Sequence, residues 1–241
     1  MKRLLKALAA ICLGVLSIWP ALAFFDSEPP KDAEFTYARI RYHMTPDAIY
    51  QREVPWHHDY PYGDETFPAF VKEVTHIHTA STAYQIVDID SPDLFKYPFA
   101  YLCEPGYLEL NEKDTKNFRQ YLERGGFVMI DDFRGERHLS NLVYQLKKVF
   151  PDRNIIPLTL RHSIFDSFYK IDSLDMPPPY GSQPVQFLGM EDDHGRLMLV
   201  IDYNNDLSEI WQWLDEGSLP LHDAAESLKF GTHYLMYAFT H

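Results

Sequence analysis

Cysteine is nearly absent. The chain has two, Cys12 within an N-terminal apolar segment and Cys103 in the body of the sequence. If that segment is removed, no intramolecular disulfide can form, and the fold must rest on its core even in an oxidising compartment. Basic residues are also scarce, with 22 Lys and Arg against 35 Asp and Glu. No dense basic run offsets that balance, so phosphate backbones and anionic lipid surfaces would repel the chain, and nucleic acid is not an expected partner. Beyond the N-terminus no apolar run approaches the roughly 20 residues of a membrane-spanning helix. There is no internal repeat, no low-complexity tract and no H-E-x-x-H spacing of the kind that places two zinc-binding imidazoles on one helix face.

What is present starts with MKRLLKALAAICLGVLSIWPALA. Lys2, Arg3 and Lys6 precede an apolar stretch that closes on Ala21 and Ala23 in an A-x-A arrangement, the pattern of a secretory signal peptide over residues 1–23. The expected location is periplasmic or secreted. The apolar run is also nearly long enough to be retained as an N-terminal anchor facing the periplasm, and membrane attachment is expected only through such an uncleaved segment. Cleavage takes three of the 22 basic groups and none of the 35 acidic ones, deepening the formal charge from −13 to −16. Residues 24–34, with Pro29 and Pro30 among mixed charges, read as a linker, and residues 35–241 as a single domain of ordinary size.

Within that domain strand and helix patterns alternate. Strands are expected at FTYARIRYHM (Phe35 to Met44), YQIVDID (Tyr84 to Asp90), PFAYLCEPG (Pro98 to Gly106), FVMI (Phe127 to Ile130) and NIIPLTL (Asn154 to Leu160). Helical spacing runs from Phe67 to Thr79, through NEKDTKNFRQYLERGG to its stop at Gly125 and Gly126, from Gly135 to Phe150, and from His222 to Thr240. VQFLGMEDDHGRLMLVIDY reads as a hairpin turning at Asp193, His194 and Gly195. The alternation predicts an α/β fold with a doubly wound, mostly parallel sheet and an antiparallel hairpin at one edge. Ligands in such folds sit at the carboxyl ends of the strands, near the point where strand order reverses.

F-x-x-A-R-I-R-Y, W-H-H-D-Y-P from Trp56, K-Y-P-F-A-Y-L, Y-L-E-R-G-G-F-V-M-I-D-D, R-H-S-I-F-D-S-F-Y and G-R-L-M-L-V-I-D-Y-N-N-D-L together resemble the bacterial family known as domain of unknown function 4159. The resemblance runs from about Phe35 to the C-terminus. It implies kinship with class I glutamine amidotransferase-like domains, which have a flavodoxin-like sheet, and it implies no assigned activity. Working amidotransferases carry a cysteine in a G-x-C-x-G turn and a later His-x-Glu pair. Here the turn reads F-V-M-I-D-D-F-R-G and no His-x-Glu occurs, so covalent glutaminase chemistry is not expected. Cys103 is read as structural, because the neighbouring Glu104 raises a thiol pKa. The chain also has His162-Ser163-Ile164-Phe165 where family members tend to carry His-Pro-Ile-Phe.

Candidate site residues come in two groups. Asp131 and Asp132 end the FVMI strand, where a ligand is expected. They are read either as carboxylates for a cation or for acid–base work, or as caps of the following helix, and strand alternation lets at most one enter a given pocket unless the chain bends. With Asp59, His138 and His162 they form a possible rim for metal-assisted or acid–base chemistry. The second group, Trp56, His58 and Tyr60, is an aromatic and polar loop that could face a metal, stack on a sugar, or pack over the sheet. Asn204, Asn205 and Asp206 are read as helix caps. A divalent cation is the one cofactor these residue types suggest.

Three functions follow. The first is an exported amidotransferase-like domain without the catalytic triad that binds a small polar ligand or an envelope protein. The second is a metal-assisted hydrolase, with glycans as one substrate class, using the Asp/His rim. The third is a scaffold for a membrane-associated complex.

Overall fold

A computed structural model describes residues 33–79, 83–177, 179, 183–213 and 221–241, so the expected signal peptide over residues 1–23 and nearly all of the expected linker over residues 24–34 lie outside the described residues. Strand β1 (Tyr37–Arg41) is flanked in parallel by β2 (Tyr84–Asp88) and β3 (Phe99–Cys103), and β4 (Phe127–Phe133) continues the parallel run. β7 (Leu197–Tyr203) pairs in parallel with β4. β6 (Gln186–Glu191) and the two-residue β5 (Ile156–Pro157) close that side, each antiparallel to its neighbour. The order is β2-β1-β3-β4-β7-β6-β5. Its five parallel strands follow the flavodoxin-like sequence, and their order reverses between β1 and β3.

Strands β3, β4 and β7 are buried along their whole length, as a parallel sheet covered on both faces requires. Helices α2 (Glu112–Glu123) and α3 (Gly135–Val149) cover one face, where Phe118, Leu122, Leu142 and Leu146 meet Ile40, Leu102 and Ile130. The other face carries α1 (Tyr62–Val74), the short α4 (Leu207–Gln212) and α5 (Leu221–Thr240), whose Phe67, Trp211 and Phe230 meet Tyr37, Phe99 and Met129. The rings of Phe67 and Trp211 stack 4.5 Å apart. A Cβ on Gly231 of α5 would come 2.6 Å from an atom of each ring, so that close approach needs glycine. Asn111 starts α2 with a reciprocal cap, accepting from Lys113 N and Asp114 N while Asp114 accepts from Asn111 N.

Three elements differ most from the sequence expectation, the first being β4, which runs to Phe133 past the expected end at Ile130. Helix α1 begins at Tyr62 rather than Phe67 and ends at Val74, where Thr75 Oγ1 donates back to Val71 O. Its first turn has little apolar periodicity but buries Asp64 against Arg39 of β1, so an ion pair sets that start. His76 and His78 consequently lie beyond the helix on the surface. The strand expected over Asn154 to Leu160 contracts to Ile156–Pro157, because Pro157 has no N–H for a longer ladder and suits only a sheet edge.

Candidate functional site

The two aspartates of β4 are separated by an irregularity in that strand. Val128 and Ile130 pack on the α2/α3 face, and Phe127 and Met129 on the other, in regular alternation. Between Ile130 and Phe133 the register slips, so that three steps on β4 match two on β7, Ile130 opposing Ile201 and Phe133 opposing Tyr203. Asp132 takes a left-handed φ of 56°, and Phe133 returns to the α2/α3 face beside Tyr203. One extra residue in a β-bulge has this effect and re-aims side chains at a sheet end.

Asp131 turns towards α4 and is fully buried; its Oδ2 accepts from Leu207 N at 2.8 Å and Ser208 N at 3.1 Å. It anchors α4, while Asp206 is the N-cap of that helix, Oδ1 accepting from Glu209 N at 3.0 Å. The first turn of α3 is held by Asn204, whose Oδ1 accepts from Gly135 N at 3.0 Å. The expectation that this stretch caps the following helix therefore holds for Asp206, whereas Asn204 serves α3 instead, and Asp132 is not the cap of α3. Asp132 instead faces the loop after β1, with its Oδ2 2.7 Å from His58 Nδ1.

That loop is placed by Arg39, which is fully buried in β1. Its Nε and Nη2 grip Asp64 at 2.9 and 2.6 Å, leaving Nη1 to donate to Trp56 O at 3.3 Å and His58 O at 2.9 Å. Asp59 follows with φ 62°. Ser208 Oγ donates to Asp59 Oδ2 at 2.9 Å, so the 2.6 Å contact between Ser208 and Tyr101 has the tyrosine hydroxyl as donor. Glu104, the residue after β3, has φ 43° and ψ 51° and stands 3.8 Å from His58 Nδ1. All four non-glycine residues with positive φ among the described residues, namely Asp59, Glu104, Asp132 and Asn204, meet at the carboxyl ends of β1, β3, β4 and β7.

A cleft of about 130 Å³ opens here, lined by Glu104, Tyr107, Asp132, Arg134, His138 and Asn205 among others. His138 forms a wall of it, and a Cβ on Gly106 would fall 2.3 Å from the imidazole Cγ, so the close approach of the β3 turn to α3 requires glycine. Burial, then the cations Arg137 and Arg134, hold the His138 pKa below the ordinary histidine range. The carboxyls move the other way. Burial raises Glu104 to about 7 and Asp59 to about 6, in both cases against the pull of His58. Burial likewise raises Asp131 to about 7, against its backbone hydrogen bonds. Asp132 and Asp206 are raised well above the carboxylate range by burial and then by neighbouring carboxylates, chiefly Asp59 and Glu104 for Asp132 and Asp132 and Asp59 for Asp206. Two sets have ligand-type atoms within 4.8 Å of one another, Asp59 with Asp132 and Asp206, and His58 with Glu104 and Asp132.

Of the residues singled out from sequence, Asp59, Asp132 and His58 are brought together, Asp131 stands directly behind them, and His138 lines the cleft. His162 is not on this rim. It lies 3.3 Å from Glu191, which is in register with Leu197 at the start of β7, so it sits at the opposite end of the sheet; with β5 only two residues long, the chain has already turned back before His162. Trp56 is buried in the α2/α3-side core with Arg41 over its ring, and Tyr60 packs against His57 and Tyr84; neither lines the cleft. Sequence reasoning missed Glu104, Asp206, Asn205 and Ser208 as site groups. Glu104 had a signal, an acid directly after a buried strand and before Pro-Gly.

The family described as Domain of unknown function (DUF4159) matches residues 36–239. No curated protein matches the chain.

Proposed function

The chain belongs to the DUF4159 family, and from that premise we propose that it is an exported domain whose cleft binds a small polar ligand in the cell envelope, in an amidotransferase-like frame that has lost thiol chemistry. One observation carries the reading. Among the described residues four side-chain-bearing positions hold the left-handed backbone; Glu104, Asp132 and Asn204 line one strand-end cleft, and Asp59 lies beside Asp132. Each such residue costs stability, and clustering at a single place is the usual mark of a functional site. The cleft's volume suits a small molecule, and its lining combines carboxylate, imidazole, guanidinium and amide groups with the apolar Phe133, Tyr107 and Pro179. Loss of thiol chemistry is supported by Cys103, which is fully buried, donates to Pro55 O at 3.2 Å and has its pKa pushed up by burial.

Thermal-shift measurements with millimolar monosaccharides, amino acids, hydroxy acids and nucleosides test the reading. A true ligand raises the unfolding midpoint of the native protein and loses that effect in Glu104→Ala and His138→Ala. Stabilisation that persists equally in both variants would place the ligand elsewhere and contradict the proposal.

A second reading, metal-assisted hydrolysis with a glycan as one substrate class, is favoured by the proximity of Asp59, Asp132 and Asp206. In it Glu104, beside the cleft and raised to about 7 by burial, has the proton affinity of a general base near neutral pH.

A further inference from the structure

We propose that Asp59, Asp132 and Asp206, with Asn205, form a binding site for one hard divalent cation of the magnesium, manganese or calcium type at the inner end of the cleft. The inference rests on the cleft being the functional site and adds the ion that would organise it.

Three carboxylates close together do not by themselves make a site. Here each of the three is fixed by a donor on one oxygen. Asp59 Oδ2 accepts from Ser208 Oγ at 2.9 Å, Asp132 Oδ2 is 2.7 Å from His58 Nδ1, and Asp206 Oδ1 accepts from Glu209 N at 3.0 Å. Donors of this kind orient metal ligands from behind. The second oxygen of Asp206, which is 1 % exposed, accepts from no donor group, and its carboxyl lies close enough to that of Asp132 for the two side chains to interact directly.

The independent observation is Asn205. It is 3 % exposed, lines the cleft beside Asp132 and has a side-chain oxygen without any hydrogen-bond partner, while its Nδ2 reaches towards Met176 Sδ at 4.0 Å. A buried amide oxygen left bare next to buried carboxylates is an acceptor waiting for a positive charge. Oxygen ligands of a six-coordinate ion at about 2.1 Å stand roughly 3 to 4.2 Å apart, compatible with the 4.8 Å limit that encloses the three aspartates. An all-oxygen set selects hard cations over zinc or copper. His58 is an orienting residue here, since its Nδ1 is engaged by Asp132.

The test is direct titration of the chelator-stripped protein, purified without a polyhistidine tag, with MgCl2, MnCl2 and CaCl2 by calorimetry, with elemental analysis of the product. The expected result is one saturable cation per chain for at least one of the three, weakened tenfold or more in Asp206→Asn. Asparagine caps a helix as well as aspartate does, so that variant keeps α4. Asn205→Ala, a neutral change, is expected to weaken binding several-fold, and Asp172→Asn, at an exposed residue paired with Lys170, to leave it unchanged. Absence of saturable binding by the folded native protein, or equal affinity in Asp206→Asn and Asn205→Ala, overturns the site. A cleft ligand found without any cation would overturn this inference alone and leave the proposed function standing.

Discussion

Arg39 is the side chain on which the cleft most depends without lining it. In a sheet covered on both faces, a buried guanidinium must find an anion and acceptors; Arg39 finds Asp64 and the carbonyls of Trp56 and His58. Breaking a buried pair by removing one partner costs about 3–5 kcal/mol, so Asp64→Asn is expected to destabilise by roughly that amount in urea unfolding. Loss below about 1 kcal/mol would show that the pair is not the anchor drawn here. The A-R-I-R pattern contained the clue, because one arginine of a doubly covered strand has to point inward, but nothing local named Asp64, 25 residues on, as its partner. Cys103 makes a second residue-scale prediction. Buried and hydrogen-bonded to Pro55 O, it should react with a thiol reagent such as DTNB only on unfolding, and rapid labelling of the native protein would contradict its structural role.

The elements were legible in sequence wherever hydrophobic period and caps agreed, as in α2 with its reciprocal Asn111 cap and in the hairpin around Gly195. They were not legible where a long-range contact decides, as at the start of α1, or where one extra residue changes the aim of a strand, as at Asp132. A two-residue period gives no sign of a bulge, so Asp131 and Asp132 could be placed at a strand end but not given different partners. Glu104 provides the test at this scale. A non-glycine residue in a sparsely populated conformation costs on the order of 1–3 kcal/mol, and glycine there returns part of that as chain entropy. Glu104→Gly is therefore expected to raise stability by about 1 kcal/mol while abolishing ligand-induced stabilisation. A variant that is less stable and still binds would show that neither strain nor carboxyl serves the cleft.

At the scale of the whole molecule, a small part of the acid-rich composition is gathered into a buried group of carboxyls at one end of the sheet. Asp59, Glu104 and Asp131 have folded-state pKa values raised to about 6, 7 and 7, mainly by burial, so the folded cation-free protein holds protons that the unfolded chain releases near pH 4. Their contribution is fully present below the unfolded values and is lost as pH rises through the folded ones. With chelator present, the unfolding midpoint should fall between about pH 4 and pH 7, and a midpoint that rises across that window would contradict the burial of these groups. Sequence composition gave the sign of the charge but not its convergence, since Asp59, Asp132 and Asp206 come from the loop after β1, the bulge of β4 and the turn before α4, which only the sheet order joins. Whether this convergence holds a cation is decided by anomalous diffraction from crystals grown with MnCl2. One manganese peak bonded to Asp59, Asp132 and Asp206 is the expected result. Crystals of the folded protein with no peak among those three carboxylates would contradict it.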